Sequence, residues 1–476
     1  MTVALIALPF LAALLVGFLP LSRVAAEGLA LLAALAEVAL AAVAIAGFDV
    51  GGGAQYVTND RWIANLAGGA DVRFHVAMDG LSLFMVALTA VGVAAAVWSA
   101  IASRRDRARV YLALLLLLES SLAVLFTARD LVLFYAGWEI MMIALFVLMG
   151  VWGGANRRSA TLQFIIYSLI GSLLMLVAIA TLGVQGGSFD LSTLANQGRE
   201  STWMFLAFAA AFCIKAPMFP LHGWLPAAYR ESTPEVTALL SGVISKAGAY
   251  GLIRFAVPLF PGTAYDWRWL FLGLGLAGLL YASIVAFRQP DARGVVAYSS
   301  IGQMNLIVIG IFSLGAGGAF SRNGLTGAEF QMVNHGIVSL VAFLLIGLVE
   351  LRTGTDALRS LGGLANRRPV MSTVLLIAAL FALAVPGSSV FVSEIYILIG
   401  AFGENALLGS VAAVGIVLAA MYMLRWYSAL AHEDDGELVD QATPDLGVGE
   451  LAVAVPLVLL LLAMSAWPFG VMERIG

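Results

Sequence analysis

Apolar runs of about 20 residues recur along the whole chain, separated by short segments rich in Gly, Asp, Asn and Arg. Each run makes roughly 30 Å of helix, about the thickness of a bilayer's hydrocarbon core. Runs of this length and composition read as membrane-spanning helices. The expected spans lie near 3–21, 28–47, 80–102, 110–128, 131–151, 160–183, 203–221, 234–256, 267–287, 292–314, 329–350, 370–401, 406–428 and 449–470, fourteen in all.

Composition agrees with this reading. Hydrophobic residues make up 61% of the 476 and charged residues 11%, against about 25% charged in a soluble domain. The expected fold is therefore an all-α polytopic membrane protein with about 14 transmembrane helices. The net charge of −4 is spread over short loops, with no basic run of the kind that binds nucleic acid. Cys213 is the only cysteine, so an internal disulfide and a multi-cysteine metal site are both excluded. Thr2 to Leu21 lacks the basic start of a signal peptide and is read as the first helix, retained.

Loop arginines set the orientation. Odd-numbered loops carry fifteen, led by Arg104, Arg105, Arg107 and Arg109 and by Arg352, Arg359, Arg367 and Arg368; the other side carries eight. The positive-inside rule then places both termini on the outer side, in a bacterial cytoplasmic (inner) membrane. The largest outer segment, Asp49 to Met78, contains an alternating stretch from Val72 to Val76 and is expected to form a cap or hairpin.

Two spans are interrupted. One reads Lys215-Ala216-Pro217-Met218-Phe219-Pro220 and the other Pro386-Gly387-Ser388-Ser389, and a proline removes a helix hydrogen bond and clashes with the preceding turn. The breaks fall in the fourth helix of two successive five-helix blocks, and an odd block length inverts the second copy, a recurrent transporter plan. The expected division is 1–108 (helices 1–3 and an outer loop), 109–258 (first inverted repeat), 259–430 (second inverted repeat) and 431–476 (a C-terminal loop and helix 14).

The chain has only two lysines, Lys215 and Lys246, and both fall inside apolar runs. A charge at bilayer depth costs several kcal/mol, and such residues usually mark an ion path. Glu139 lies nine residues after Asp130, roughly 13 Å into its span. Glu119, Lys215, Lys246 and Glu394 share a similar depth. Desolvation opposes charge on a lone buried lysine or glutamate, and a close opposite charge restores it. At roughly 4 Å and an effective dielectric near 20 such a pair is worth about 4 kcal/mol, a factor of about a thousand in proton affinity. Making or breaking a pair can thus load or eject a proton without any cofactor; the alternative is a static pair that merely satisfies two buried charges.

His335 is a candidate proton carrier, as is His222 beyond the first break. Ser245, Tyr298, Ser299, Ser300, Gln303 and Asn305 are polar groups that either hold a water wire or bond neighbouring helices. Glu37 lies outside both blocks, and Glu350 sits at a span end within reach of water. Gly273-Leu274-Gly275-Leu276-Ala277-Gly278 fits a dinucleotide-binding pattern, but it lies within a span with no preceding strand; close helix packing explains it.

Taken together, LVLFYAGWE (131–139), KAPMFPLHGWLP (215–226), Thr233 to Phe255 with its ISKAGAYGLIRF, and PGSSVFVSEIYILIGAF (386–402) resemble the proton-translocating, antiporter-like subunits of respiratory complex I. The related multisubunit cation/proton antiporters share these features. The acidic Glu394 in the broken twelfth helix, where many relatives have lysine, resembles the M-type chain of NADH-quinone oxidoreductase. Ala227-Ala228-Tyr229 and Ala384-Val385 depart from that type.

The resemblance implies that Glu139 and Lys215 form a coupling pair, that Lys246 is the central relay site, that Glu394 lies near the outer exit, and that His335 bridges the halves. It also implies a proton-pumping subunit with no cofactor in this chain, embedded in lipid among adjacent antiporter-like subunits. A sodium/proton antiporter subunit, a hydrogenase-linked subunit and an inert membrane scaffold are the alternatives.

Overall fold

The fold is described from a computed structural model, over residues 1–67, 69–432, 436 and 444–476. Helices fill all fourteen expected spans. They are α1 (Thr2–Phe18), α2 (Arg23–Ala46), α3 (Gly80–Ala102), α4 (Ala108–Thr127), α5 (Leu131–Trp152), α6 (Arg157–Gly186), α7 (Thr202–Lys215), α8 (Pro234–Leu259), α9 (Pro261–Ala286), α10 (Ala292–Phe312), α11 (Arg322–Thr353), α12 (Pro369–Ala382), α13 (Ser389–Glu404), α14 (Ala406–Ala431) and α15 (Val448–Ala466). The count exceeds fourteen because the twelfth span is two helices, α12 and α13, separated by its break. Most of the loop expected after 431 lies outside the described residues.

Short polar caps begin several of these helices. Asp130 accepts from the backbone N–H of Val132 at 2.9 Å and of Leu133 at 3.2 Å, and Asp79 accepts from Ser82 at 3.0 Å. Such oxygens satisfy first-turn donors that have no partner within the helix.

Burial sorts the helices into an inner and an outer set. Leu162, Ile166, Leu169, Leu173 and Val177 form an exposed stripe on α6, at the three- and four-residue spacing of one helix face; this is an apolar outer rim. By contrast α8, α10 and α11 are almost wholly buried, and they carry Lys246, Gln303, Asn305 and His335. The two blocks run from α4 to α8 and from α9 to α14, and each is broken where the sequence places its prolines.

Between α2 and α3 the chain forms an antiparallel hairpin of β1 (Gln55–Ala67) and β2 (Ala70–Met78). Val72, Val76 and Met78 turn inward, so the alternation read from sequence gives the hairpin a buried face. Three contacts stitch it to the bundle. The backbone N–H of Arg73 donates to Asp130 Oδ2 at 3.0 Å, the N–H of Arg129 donates to the His75 carbonyl at 2.8 Å, and His75 Nδ1 lies 2.5 Å from Asp190 Oδ2. Asp190 also caps the short helix Leu191–Asn196 through the N–H groups of Ser192 and Thr193. Burial alone would raise this carboxyl's pKa, but His75, Ser192 and Thr193 together hold it below the usual carboxylate range.

At the first break α7 ends on Lys215. The freed backbone is met by protein: Trp224 Nε1 donates to the Ile214 carbonyl at 2.8 Å, the Phe219 N–H donates to Asn305 Oδ1 at 3.2 Å, and Asn305 Nδ2 reaches the Pro217 carbonyl at 3.4 Å. Helix α9 reaches Asn305 closely because residue 278 is glycine; a Cβ there would stand 2.1 Å from Asn305 Oδ1. The glycine pattern of α9 is thus partly a packing device: Gly275 also faces α10, while Gly273 faces open space.

Two consequences can be measured. Asp190→Ala should cost about 1–2 kcal/mol of local stability, seen as faster amide exchange over 73–76 in the hairpin. Because the folded carboxyl's pKa is depressed, its contribution is present above about pH 4, the ordinary aspartate range, and is lost as pH falls toward the lower folded value. Stability that stays flat across that fall would remove the role given to Asp190. Asn305→Leu should leave the Phe219 donor and Pro217 acceptor unmet, at about 1–3 kcal/mol each. A melting temperature equal to wild type for the detergent-solubilised protein would contradict this.

Candidate proton-conducting site

Lys215, the last residue of α7, points its ammonium into a buried cage. Nζ lies 2.7 Å from Met142 Sδ, and the rings of Phe164, Trp138 and Trp224 stand 4.6, 5.8 and 5.9 Å away. Aromatic faces stabilise a cation that has lost its water. Glu139 lies three residues before Met142 on α5, so both project from one helix face, and it is within electrostatic reach of Lys215. The two do not touch as an ion pair, and Glu139 Oε1 is buried with no hydrogen-bond partner. Tyr135, one turn before Glu139, interacts with its carboxylate. The expected coupling pair is therefore close but open, with a thioether on the ammonium.

Lys246 lies on α8 between two π-helical turns, Leu240–Ile244 and Leu252–Ala256. Such turns widen the helix, loosen its hydrogen bonding and often occur at functional positions. One result is that the Lys246 ammonium donates to the Ser241 carbonyl. It also reaches Ser245 Oγ at 3.4 Å and His335 Nδ1 at 2.7 Å. When Lys246 is an ammonium it only donates, so Nδ1 then accepts and Nε2 keeps the imidazole proton, directed at Ser339 Oγ at 3.2 Å. Lysine and histidine are thus joined across α8 and α11, with both side chains buried.

Glu394 lies in the second turn of α13, just past the second break. Gln303 Nε2 donates to its Oε1 at 2.9 Å, Gln331 Nε2 donates to Gln303 Oε1 at 2.6 Å, and Ser393 Oγ donates to Gln331 Oε1 at 2.5 Å. Asn334 Nδ2 completes the set, 3.3 Å from Ser393 Oγ and 3.0 Å from the carbonyl of Ser389, the first residue of α13. A cavity of about 20 Å³ touches His335, Ser339, Ser299, Gln303 and Gln331. That is room for about one water with several polar partners, which places a bridging position between His335 and the amide chain leading to Glu394.

The first half of the row is less continuous. Beside Lys246 lie the hydroxyls of Tyr229, Ser241, Ser245 and Ser300, with Ser241 Oγ 3.0 Å from Ser300 Oγ. Among the described residues no unbroken chain of hydrogen bonds crosses from Lys215 to Lys246. Two expected candidates stand apart. His222 is stacked on Phe219 and packed against Tyr281, with Nδ1 unpartnered. Glu119 is buried beside Glu37 on α2, and neither carboxyl has a hydrogen-bond partner. Glu350 meets water and bonds Arg293. Ser299 receives the Tyr422 hydroxyl at 3.0 Å, so it bonds a helix neighbour as well as lining the cavity.

Several functional groups were not legible as such. Met142 and the aromatic cage look like ordinary core residues in the sequence. The π-helical turns leave no composition signal. Gln331, Asn334 and Ser339 share a helix with His335, and their uninterrupted polar spacing within an apolar span was the available sign.

Comparison with known proteins places this geometry. The family model described as "NADH:quinone oxidoreductase/Mrp antiporter, TM" matches residues 128–419, which include Glu139, Lys215, Lys246, His335 and Glu394. The NADH-quinone oxidoreductase subunit M of Rickettsia bellii is 33% identical over 428 residues, covering 88% of this chain and 84% of the relative. A chain of respiratory complex I from Thermus thermophilus, solved with bound NADH, superposes with a TM-score of 0.88 at 29% identity and full coverage of both chains. A chain of the Mrp complex from Dietzia shares the fold, with a TM-score of 0.84 at 23% identity, covering 100% of this chain and 95% of that one. The chain is an integral membrane protein and belongs to the NADH:quinone oxidoreductase/Mrp antiporter transmembrane family.

Proposed function

We propose that this chain conducts protons across a bacterial cytoplasmic membrane as the M-type subunit of a redox-driven NADH-quinone oxidoreductase, working beside other antiporter-like subunits. It carries out no electron transfer itself. The observation that carries this reading is the 2.7 Å contact of Lys246 Nζ with His335 Nδ1, two exchangeable groups in the buried centre of the bundle and joined toward Glu394 by a water-sized cavity and an amide chain.

The chemistry follows from which neighbour each group has. When the Glu139 carboxylate closes on Lys215, the ammonium is held. When it withdraws, Met142 and the aromatic rings are weaker partners and the proton is released toward Lys246. There the Ser241 carbonyl and the imidazole receive the ammonium's hydrogens, and a proton placed on His335 Nδ1 frees the one on Nε2. A water in the cavity carries the charge on, because the amides of Gln303 and Gln331 orient water and hold Glu394 rather than carrying a net proton. Moving one charge through 100 mV costs about 2.3 kcal/mol. A single buried pair made or broken, at about 4 kcal/mol, is of the right size to drive it.

The outward placement of both termini rests on the arginine asymmetry of the loops. The scaffold alternative predicts that the buried charges are inert. The antiporter alternative, favoured only by the shared fold, predicts sodium-dependent exchange with no electron donor.

The test is proton translocation by the intact complex in sealed vesicles. Glu139→Gln and Lys246→Ala should each lower the number of protons moved per electron, while electron transfer by the uncoupled complex is retained. An undiminished ratio in both variants would refute the relay.

A further inference from the structure

The sequence places Glu329 at the very edge of its expected span, but α11 begins at Arg322. Glu329 is therefore the eighth residue of the helix, about 10 Å inside its end. It is buried, and Oε2 has no hydrogen-bond partner. It borders a vestibule of about 880 Å³ that opens on the same face as the two chain termini and is also lined by Asp79, Arg254, Thr326 and Tyr396.

Arg254 and Asp79 act electrostatically on Glu329, and Gly476 packs beside its Oε2. The arginine and the aspartate are committed to each other, since Arg254 bonds Asp79 and Arg129 bonds the same carboxylate at 2.9 Å. Arg322 and Arg474 also line the vestibule, but among the described residues no cation forms an ion pair with Glu329. It thus differs from Glu235 near the opposite face, which is buried but fixed by Arg105 at 2.9 Å.

The placement also points inward. Gly336, seven residues after Glu329 and so on the same helix face, packs against the Gly242 carbonyl of α8; a Cβ there would lie 2.7 Å from that oxygen. Glu329 accordingly lies on the side of α11 turned toward α8. On α8, Lys246, Tyr250 and Arg254 follow at four-residue intervals toward the vestibule. The Tyr250 hydroxyl is bonded to Ser82 Oγ at 3.0 Å and to the Phe126 carbonyl at 2.7 Å. Along α11 the rise from His335 to Glu329 is six residues, about 9 Å, about three hydrogen-bond lengths and so about two intervening waters.

We propose that Glu329 is a proton-relay residue that connects the Lys246–His335 centre to water in the terminus-face vestibule. A proton leaving the centre is taken up by the Glu329 carboxylate and passed to a vestibule water, which restores the carboxylate. The row then exchanges protons with that face from its middle, and Glu394 is a holding site beyond. This rests on the proton-conducting reading above.

The intact complex in proteoliposomes tests both. Let the drop in protons per electron caused by Lys246→Ala define this chain's share. Glu329→Gln should remove at least half of that share, and Glu329→Asp should restore most of it, which a packing role would not require. A normal ratio in Glu329→Gln beside a lowered one in Lys246→Ala overturns Glu329 and leaves the relay standing. A normal ratio in Lys246→Ala overturns both. Should Glu329→Gln fail to assemble, the wild-type complex is treated with a hydrophobic carbodiimide and its peptides are weighed. Modification of Glu329 that removes the same share supports the proposal, and either no modification or modification without loss overturns it.

Discussion

A backbone group released inside lipid finds no solvent to bond, so a helix can be broken at that depth only where protein or trapped water meets the loose ends. The site of this chain is organised by that constraint. At the first break Asn305 and Trp224 meet three of the freed groups. At the second, Ser465 of α15 accepts from the freed Ser389 N–H at 2.8 Å. Asn305 of α10 serves the first break and Asn334 of α11 lies beside the second, and the ionisable residues gather around these two buried helices. Asn305 therefore has a structural duty first, and the polar surroundings that it and Asn334 create lie close to Lys215 and Glu394.

The two blocks use this plan differently. In the first, the ionisable residue is the final residue of the helix before the break, and its surroundings are soft: a thioether, three aromatic rings and an unpaired carboxylate at a distance. None of these is an ion-pair partner, and in the proposed relay the state of the ammonium follows the position of Glu139. In the second block the ionisable residue follows the break and is tied by a directional chain of amides and a hydroxyl. A soft cage suits a group whose partner comes and goes. An amide chain suits one that is to receive a proton in a fixed place. The asymmetry gives the row an order that a pair of equivalent repeats would lack.

Most of the architecture was legible because bilayer thickness and proline chemistry act directly on sequence. The span limits, both breaks and the hairpin after α2 follow from run length, from Pro217, Pro220 and Pro386, and from the alternation at Val72 to Val76. The main boundary error was at α11, where polar residues from Arg322 to Thr326 look like loop. They are helical because their surface faces the vestibule rather than lipid, and the error hid Glu329. Depth and residue type were also enough to select Lys246, His335 and Glu394, but not their contacts. Nothing local announces that Ser241 and Lys246 meet through a π-helical turn, that Met142 lies on Lys215, or that His222 turns away onto Phe219 and Tyr281. Those outcomes depend on the rotation of one helix against another, and rotation is set by small residues such as Gly248 and Gly278, whose partners lie far away in the chain.

That close packing also limits how the site can move. Gly248 presses on the Phe212 carbonyl and the Ala216 backbone, and Gly242 and Gly336 bring α8 and α11 together, so any shift of α8 as a body would collide with backbone on both sides. Interiors packed to this density do not deform smoothly. The remaining freedom lies in side chains and in the few polar spaces: the Glu139 carboxylate, the His335 ring, and water entering beside Gln303 or below Glu329. A change in any one of these alters the partner of a neighbouring charge by an amount comparable to the membrane voltage, without requiring the helices to leave their seats.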